Sequence, residues 1–234
     1  MPKKPLLPHY QLVIVDEAHK FLQAARSMYG VELTNVEIPK LATGINGYTT
    51  GKSNKGANVH RIVKKLSGQS ERLFAHLGAQ ISEELLASQG LSNDEIDEME
   101  RLPVAINPEA LRHLKNILAL ASEVAEATAD SHVQANKKKS RSKALWQLDR
   151  LGERVMGLRK HNQNIYWLEN RQEGEVKSQA LCAIPKNLDE RLHKDLWSAG
   201  IPIILTSGTL SASGVIGESA ITAGFTRAKQ TLGL

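Results

Sequence analysis

The chain has 234 residues, of which 41% are hydrophobic and 24% charged, enough for a sizeable core in one or two domains and unlike a disordered protein. A single cysteine, Cys182, excludes an internal disulfide framework and a Cys-rich zinc or iron–sulfur site within this chain, and it suits a reducing cytoplasm. The net charge of +5 and pI of about 9.3 favour a polyanionic partner, while the absence of any apolar run near the roughly 20 residues needed to span a bilayer argues against a membrane partner. The basic start MPKKPLLPHY lacks the apolar segment of a secretory signal, so a soluble cytoplasmic protein is expected.

The first expected element is a short buried strand, Leu12 to Val15, which turns acidic at Asp16 and Glu17. KFLQAARSMYG then reads as a helix stopped by Gly30. The next stretch, through TGINGYTTGKSNKGAN, is rich in Gly, Asn, Thr and Ser and is expected to be a loop. From Val59 the pattern is helical. Val59, Ile62, Val63 and Leu66 share one face, and Leu73, Phe74, Leu77, Ile81 and Leu85 form a similar stripe after a break at Gly68.

Ser92 followed by Glu95 resembles a capping box ahead of a short acidic helix. Asn107-Pro108-Glu109 is the clearest helix start, with an N-cap acceptor, a proline at the first helical position and a favourable charge. Leu111, Leu114, Ile117, Leu118, Ala121 and Val124 then repeat at three and four. Leu145, Leu148, Leu151, Val155 and Leu158 mark another helix from about Ser142. NIYWLEN and KSQALCAIP look like paired strands, NLDERLHKDLWSAG like a helix from Leu188 ended by Gly200, and IPIILTS like a second buried strand. The two buried strands, near residues 12 and 203, are expected to be neighbours in one parallel sheet, with the helices as a long insertion. The expected fold class is thus α/β, with sheet at both ends and a mostly α-helical insertion dominating; its segments are 1–34, 35–160 and 161–234.

An Asp at the carboxyl end of a strand can hold Mg²⁺ through water, and an adjacent Glu can orient or deprotonate a water attacking a γ-phosphate. Asp16 and Glu17 in LVIVDEAHKF fit those roles. Four letters carry little by themselves, but LTSGTLS supplies a second strand ending in small hydroxyl residues. With LLPHYQLVIVDEAHK at one end and LCAIPKNLDERLHKDLWSAGIPIILTSGTLS at the other, the chain resembles a superfamily 2 DNA helicase of the DinG/XPD group. DEAH matches that group's motif II, and SGTL matches its motif III, with Gly208 where Ala is commoner. FTRAKQTLGL resembles the segment leading to the second motor domain. The resemblance covers both ends and is weak in the middle.

That resemblance implies a RecA-like parallel sheet interrupted by an arch-like insertion, with ATP and Mg²⁺ as cofactors and single-stranded or forked DNA as partner. It implies that Asp16 holds Mg²⁺ through water and Glu17 is the catalytic base. His19, Ser207, Gly208 and Thr209 would couple nucleotide state to DNA, with translocation from 5′ to 3′. NGYTTGKS, Asn46 to Ser53, nearly matches a phosphate loop but has Asn46 for the first glycine, lacks a preceding strand and follows the DEAH sequence instead of preceding it. The resemblance therefore implies a piece of a longer motor, with little ATPase activity alone, whose phosphate loop and any iron–sulfur cysteines lie outside this chain.

Lys137, Lys138, Lys139, Arg141 and Lys143 either track a phosphate backbone or form a solvated loop between two helices. Lys52, Lys55, His60, Arg61, Lys64 and Lys65 pose the same choice. Neither group has interleaved aromatics, so binding there would be nonspecific and salt-sensitive. Trp146, Tyr166, Trp167 and Trp197 read as core or interface residues. The histidines show no metal-ligand spacing with one another or with Cys182, and Ser207 has no evident His/Asp partner in the sequence around it. The alternative functions are a non-catalytic helical module that binds DNA or protein, and part of a helicase-related nuclease.

Overall fold

A computed structural model describes residues 11–49, 54–129, 138–207 and 232. The chain forms two compact units, one from Met1–Gly30 with Ile184–Leu234 and the other from Val31–Ala183. The fold is mixed α/β with helix predominating, as the sequence indicates. No helix among the described residues is long and apolar enough to cross a membrane.

In the first unit β1 (Val13–Val15) pairs in parallel with β6 (Ile203–Leu205), Val13 lying opposite Ile203 and Val15 opposite Leu205. The expected neighbours are therefore neighbours. Their expected burial is corrected, because Ile14 is 63% exposed and Leu12 and Ile204 are each 47% exposed. Successive strand side chains point to opposite faces, and nothing among the described residues covers the face that carries Ile14 and Ile204.

A 3-10 turn (Ala18–Lys20) leads into α1 (Phe21–Tyr29). Gly30 stops α1 as expected, its N–H bonding the Arg26 carbonyl at 2.8 Å, although its backbone is extended at φ −71° and ψ 155°. Against α1 lies α7 (Leu188–Asp195), where Ala25, Leu188 and Leu192 form a small core flanked by Phe21, Tyr29 and Trp197. The Tyr29 hydroxyl donates to Asp195 at 2.9 Å and closes this pair. The helix ends earlier than the sequence suggested, at Asp195, because Leu196 leaves helical geometry before a 3-10 turn (Trp197–Ala199). Gly200, at φ 72°, ends that turn in the left-handed region that glycine enters without strain.

The second unit contains α2 (Glu37–Tyr48), α3 (Asn54–Gln89), α4 (Asn93–Glu98), α5 (Pro108–Ala129) and α6 (Lys138–Leu158). Its sheet has the order β2 (Val31–Thr34), β5 (Val176–Pro185), β4 (Asn164–Glu173) and β3 (Arg101–Pro103). The expected pairing of the last two long strands is present, joined at Gly174 with φ 61°. By contacts the unit boundaries fall at residues 30/31 and 183/184, so β4 and most of β5 belong with the helices.

Helix α5 packs between α3 and α6, and α2 packs against both α3 and α6. The two stripes expected on α3 are buried, from Val59 and Ile62 to Ile81 and Leu85, yet α3 runs through Gly68 without a break. Loop composition was misleading at residues 31–34, 37–48 and 54–58, which form β2, α2 and the first turns of α3. Ile38, Leu41 and Ile45 recur at three and four, all buried, and make α2 a helix despite Gly44 and Gly47. Similarly α6 begins at Lys138, before the expected Ser142.

The helix starts read from sequence are formed as expected. Ser92 Oγ accepts the Glu95 N–H while the Glu95 side chain accepts the Ser92 N–H, which completes the capping box. Asn107 Oδ1 accepts the Ala110 N–H at 2.8 Å and caps α5. On the sheet, Leu33, Leu102, Leu168 and Leu181 turn towards the helical core. A charge network lines other positions: Arg171 donates to Glu32 and Glu169, each at 2.8 Å, and Arg101 lies 3.4 Å from Glu169. Burial beside this network pushes the Cys182 thiol up to about 12, so it stays protonated and inert.

One buried group in this core is unsatisfied. Ser70 of α3 is 1% exposed and its hydroxyl has no hydrogen-bond partner among the described residues. An unpaired buried hydroxyl is unfavourable, and alanine is also the better helix former. Ser70→Ala should therefore raise stability by about 1 kcal/mol, seen as a higher urea midpoint with an unchanged slope.

Candidate active site

The carboxyl ends of β1 and β6 bring the DEAH segment together with Thr206 and Ser207. Backbone bonds continue past both strands: Thr206 N–H donates to Val15 C=O and Ala18 N–H donates to Thr206 C=O, both at 2.9 Å. This ladder sets Asp16 beside Thr206. Thr206 Oγ1 donates to Asp16 Oδ1 at 2.8 Å, and the Glu17 N–H donates to the same oxygen at 2.9 Å.

Those donors hold the Asp16 carboxyl below the ordinary carboxylate range, the Thr206 hydroxyl contributing most and the Glu17 N–H next. Asp16 thus presents a charged carboxylate with its other oxygen directed to no described protein donor. Among the described residues no group of three or more His, Cys, Asp or Glu side chains could hold a metal alone. One carboxylate suits Mg²⁺, which keeps several waters and shares its ligands with substrate phosphates, better than a metal that needs an all-protein cage.

Glu17 adopts φ 53° and ψ 43°, the only described residue other than glycine at positive φ. A left-handed conformation costs a side-chain-bearing residue roughly 1–2 kcal/mol, and such strain clusters at functional sites. Two residues on, His19 Nδ1 lies 2.8 Å from Ser207 Oγ and 3.1 Å from Glu17 Oε2. Ser207 therefore has a histidine partner that sequence reading did not find. The arrangement is still no hydrolase triad. In a triad the acid and the nucleophile engage opposite ring nitrogens, whereas Glu17 and Ser207 converge on one.

Of the site residues read from sequence, Asp16, Glu17, His19 and Ser207 come together, while Gly208 and Thr209 lie outside the described residues. Thr206 was missed. Its role follows from register, since it is the first residue beyond β6 and meets the first residue beyond β1. The phosphate-loop look-alike is excluded for a stronger reason than its order, because Asn46, Gly47 and Tyr48 lie inside α2; residues 50–53 are outside the described set.

Lys137 is also outside the described residues, but Lys138, Lys139, Arg141 and Lys143 occupy the first turns of α6, not a loop. Arg141 points a guanidinium N–H at the Ala129 carbonyl at 3.5 Å, where the end of α5 favours a cation. Trp146 is 61% exposed and so is not a core residue, whereas Tyr166 is buried and donates to the Leu158 carbonyl at 2.6 Å. Comparison with models of known protein families finds no match, and a search of curated proteins finds none either.

Removing the Thr206 donor tests this geometry. The depressed Asp16 pKa means that its stabilising interactions are present above the unfolded-state pKa and are lost as pH falls through the folded-state value. In Thr206→Val the Asp16 titration should move up towards the ordinary range, followed by the side-chain carboxyl chemical shift. An unchanged midpoint would show that Thr206 does not donate to Asp16.

Proposed function

We propose that this chain supplies the magnesium-binding carboxylate, the general base and the coupling residues of an ATP-hydrolysing DNA motor of the DinG/XPD helicase type. The observation that carries this reading is the joining of Asp16 to Thr206 and of His19 to Ser207 across 190 and 188 residues of sequence. Both bonds sit at the carboxyl ends of neighbouring parallel strands, where open α/β sheets bind ligands.

In this reading Asp16 would hold Mg²⁺ through water, and the bound ion would supply charge neutralisation for the nucleotide phosphates. Glu17 orients the attacking water and takes its proton. Its carboxylate already contacts His19, and His19 contacts Ser207. A change of charge at the γ-phosphate is thereby one histidine away from the segment that follows β6. Phosphate-cradling N–H groups and their lysine are also required, and the described residues do not form them.

For the helical unit, the reading assigns contact with single-stranded DNA to Lys138, Lys139 and Lys143. All three are exposed at the start of α6, a helix with no acidic residue in its first turn. Cations there oppose the positive end of the helix dipole, each at a cost of about 0.3–1 kcal/mol, and a bound phosphate would offset it.

The deciding experiment is DNA-stimulated phosphate release with the phosphate-binding loop present. Glu17→Gln should lower the rate by at least about 100-fold while leaving Mg²⁺–ATP affinity unchanged; Asp16→Asn should weaken that affinity. Wild-type turnover by Glu17→Gln would overturn the proposal and point to a non-catalytic binding module.

A further inference from the structure

Between α3 and α5 runs an open groove of about 770 Å³ that the motor reading does not use. Arg61, Lys64, Lys65 and Arg72 line one side, spaced at i, i+3, i+4 and i+11 so that they form one stripe along α3. Among the described residues no carboxylate lines the groove and none of the four exposed cations makes an ion pair. Of the four, Arg61 alone has a side-chain partner among the described residues, donating to the neutral Asn58 amide oxygen at 2.8 Å. With no acid at i±3 or i±4 on α3 to offset them, the four cations make a local concentration of positive charge.

The opposite wall comes from α5, where Asn116 offers an amide and Ala119 and Leu120 an apolar surface. At the floor Gly68 has nothing within 4 Å of the position a Cβ would take, which leaves the middle of the stripe open. Gln69 is held from below by His113, a buried histidine whose pKa is lowered chiefly by desolvation.

We infer that this groove binds the phosphodiester backbone of single-stranded nucleic acid. The cations extend along about 16 Å of helix at 1.5 Å per residue, so they can meet several consecutive phosphates, while Ala119 and Leu120 face the sugars. The cations follow a single line along one helix, which matches one phosphate backbone. Among the described residues no aromatic side chain lines the groove, so charge supplies the affinity and base sequence is not read. The regular spacing of the cations along one helix favours a phosphate backbone over an acidic peptide. The inference is independent of ATP chemistry, because every lining residue belongs to the helical unit.

The test is a fluorescence-anisotropy titration of the full chain with labelled oligo(dT) over a series of salt concentrations. Wild-type affinity should fall linearly in log salt, and changing Lys64, Lys65 and Arg72 together to Gln should lower low-salt affinity more than tenfold. The same change should make the salt slope shallower by about 2, at about 0.7 per phosphate contact on single strands. Lys64→Arg with Lys65→Arg should retain wild-type affinity and slope, and the titration contains no ATP, which keeps this outcome separate from the ATPase test. Absence of binding at low salt, a triple variant that binds like wild type, or equal competition by polyglutamate would each overturn the inference, the last in favour of an acidic protein partner.

Discussion

The candidate site exists because two strands at opposite ends of the sequence pair in parallel. Val13 N–H bonds Pro202 C=O at 3.0 Å, and Thr206 and Ala18 N–H groups extend the ladder to the site. Closing so long a loop would be entropically unfavourable in an unstructured chain, although the cost grows only with the logarithm of its length. The helical unit reduces that cost by its own topology. Val31, its first residue, lies opposite Ala183, its last, in the antiparallel pair β2–β5. Folding of that unit therefore returns the chain to within one strand spacing of where it left. The segments flanking residues 30 and 184 then close a short loop.

That arrangement separates two kinds of stability. The helical unit is held by a continuous apolar cluster in which residues such as Leu114, Ile117 and Leu151 are completely buried, and truncation of a leucine there to alanine costs about 2–5 kcal/mol. The first unit has a core of only Ala25, Leu188 and Leu192 with their flanking aromatics among the described residues. Its site therefore depends on directional bonds more than on packing: the Asp16–Thr206 and His19–Ser207 contacts and the strand ladder. Elements of low local stability are those that moving parts of machines are drawn from. The left-handed Glu17 adds a strained turn at the same place.

Legibility in the sequence followed the strength of the local signal. Heavily periodic helices were read correctly in type and in buried face, from Val59 and Ile62 on α3 to Val155 and Leu158 on α6. Caps with a defined donor and acceptor, at Ser92 and Asn107, were read to the residue. Composition failed where it contradicted periodicity, since Ile38, Leu41 and Ile45 outweigh the glycines around them. The strand β3 was also missed, although Leu102, Val104 and Ile106 are buried while Arg101, Pro103 and Ala105 are exposed. That alternation of period two marks a strand even in so short a run. At the site, residue types identified Asp16, Glu17 and His19, but the part played by Thr206 depended on a register that only pairing fixes. Arg72 was likewise separated from its basic group in sequence and joins it through two further helical turns.

The central claim is that the DEAH turn and the end of β6 act as one unit through His19 and Ser207. A double-mutant cycle on DNA-stimulated ATP hydrolysis with the phosphate-binding loop present, comparing His19→Ala, Ser207→Ala and the double variant, measures this most directly. The account predicts that the double variant is no slower than the slower single variant, because each change breaks the same link. Fully multiplicative losses, or single variants that hydrolyse ATP like the wild type, would contradict it.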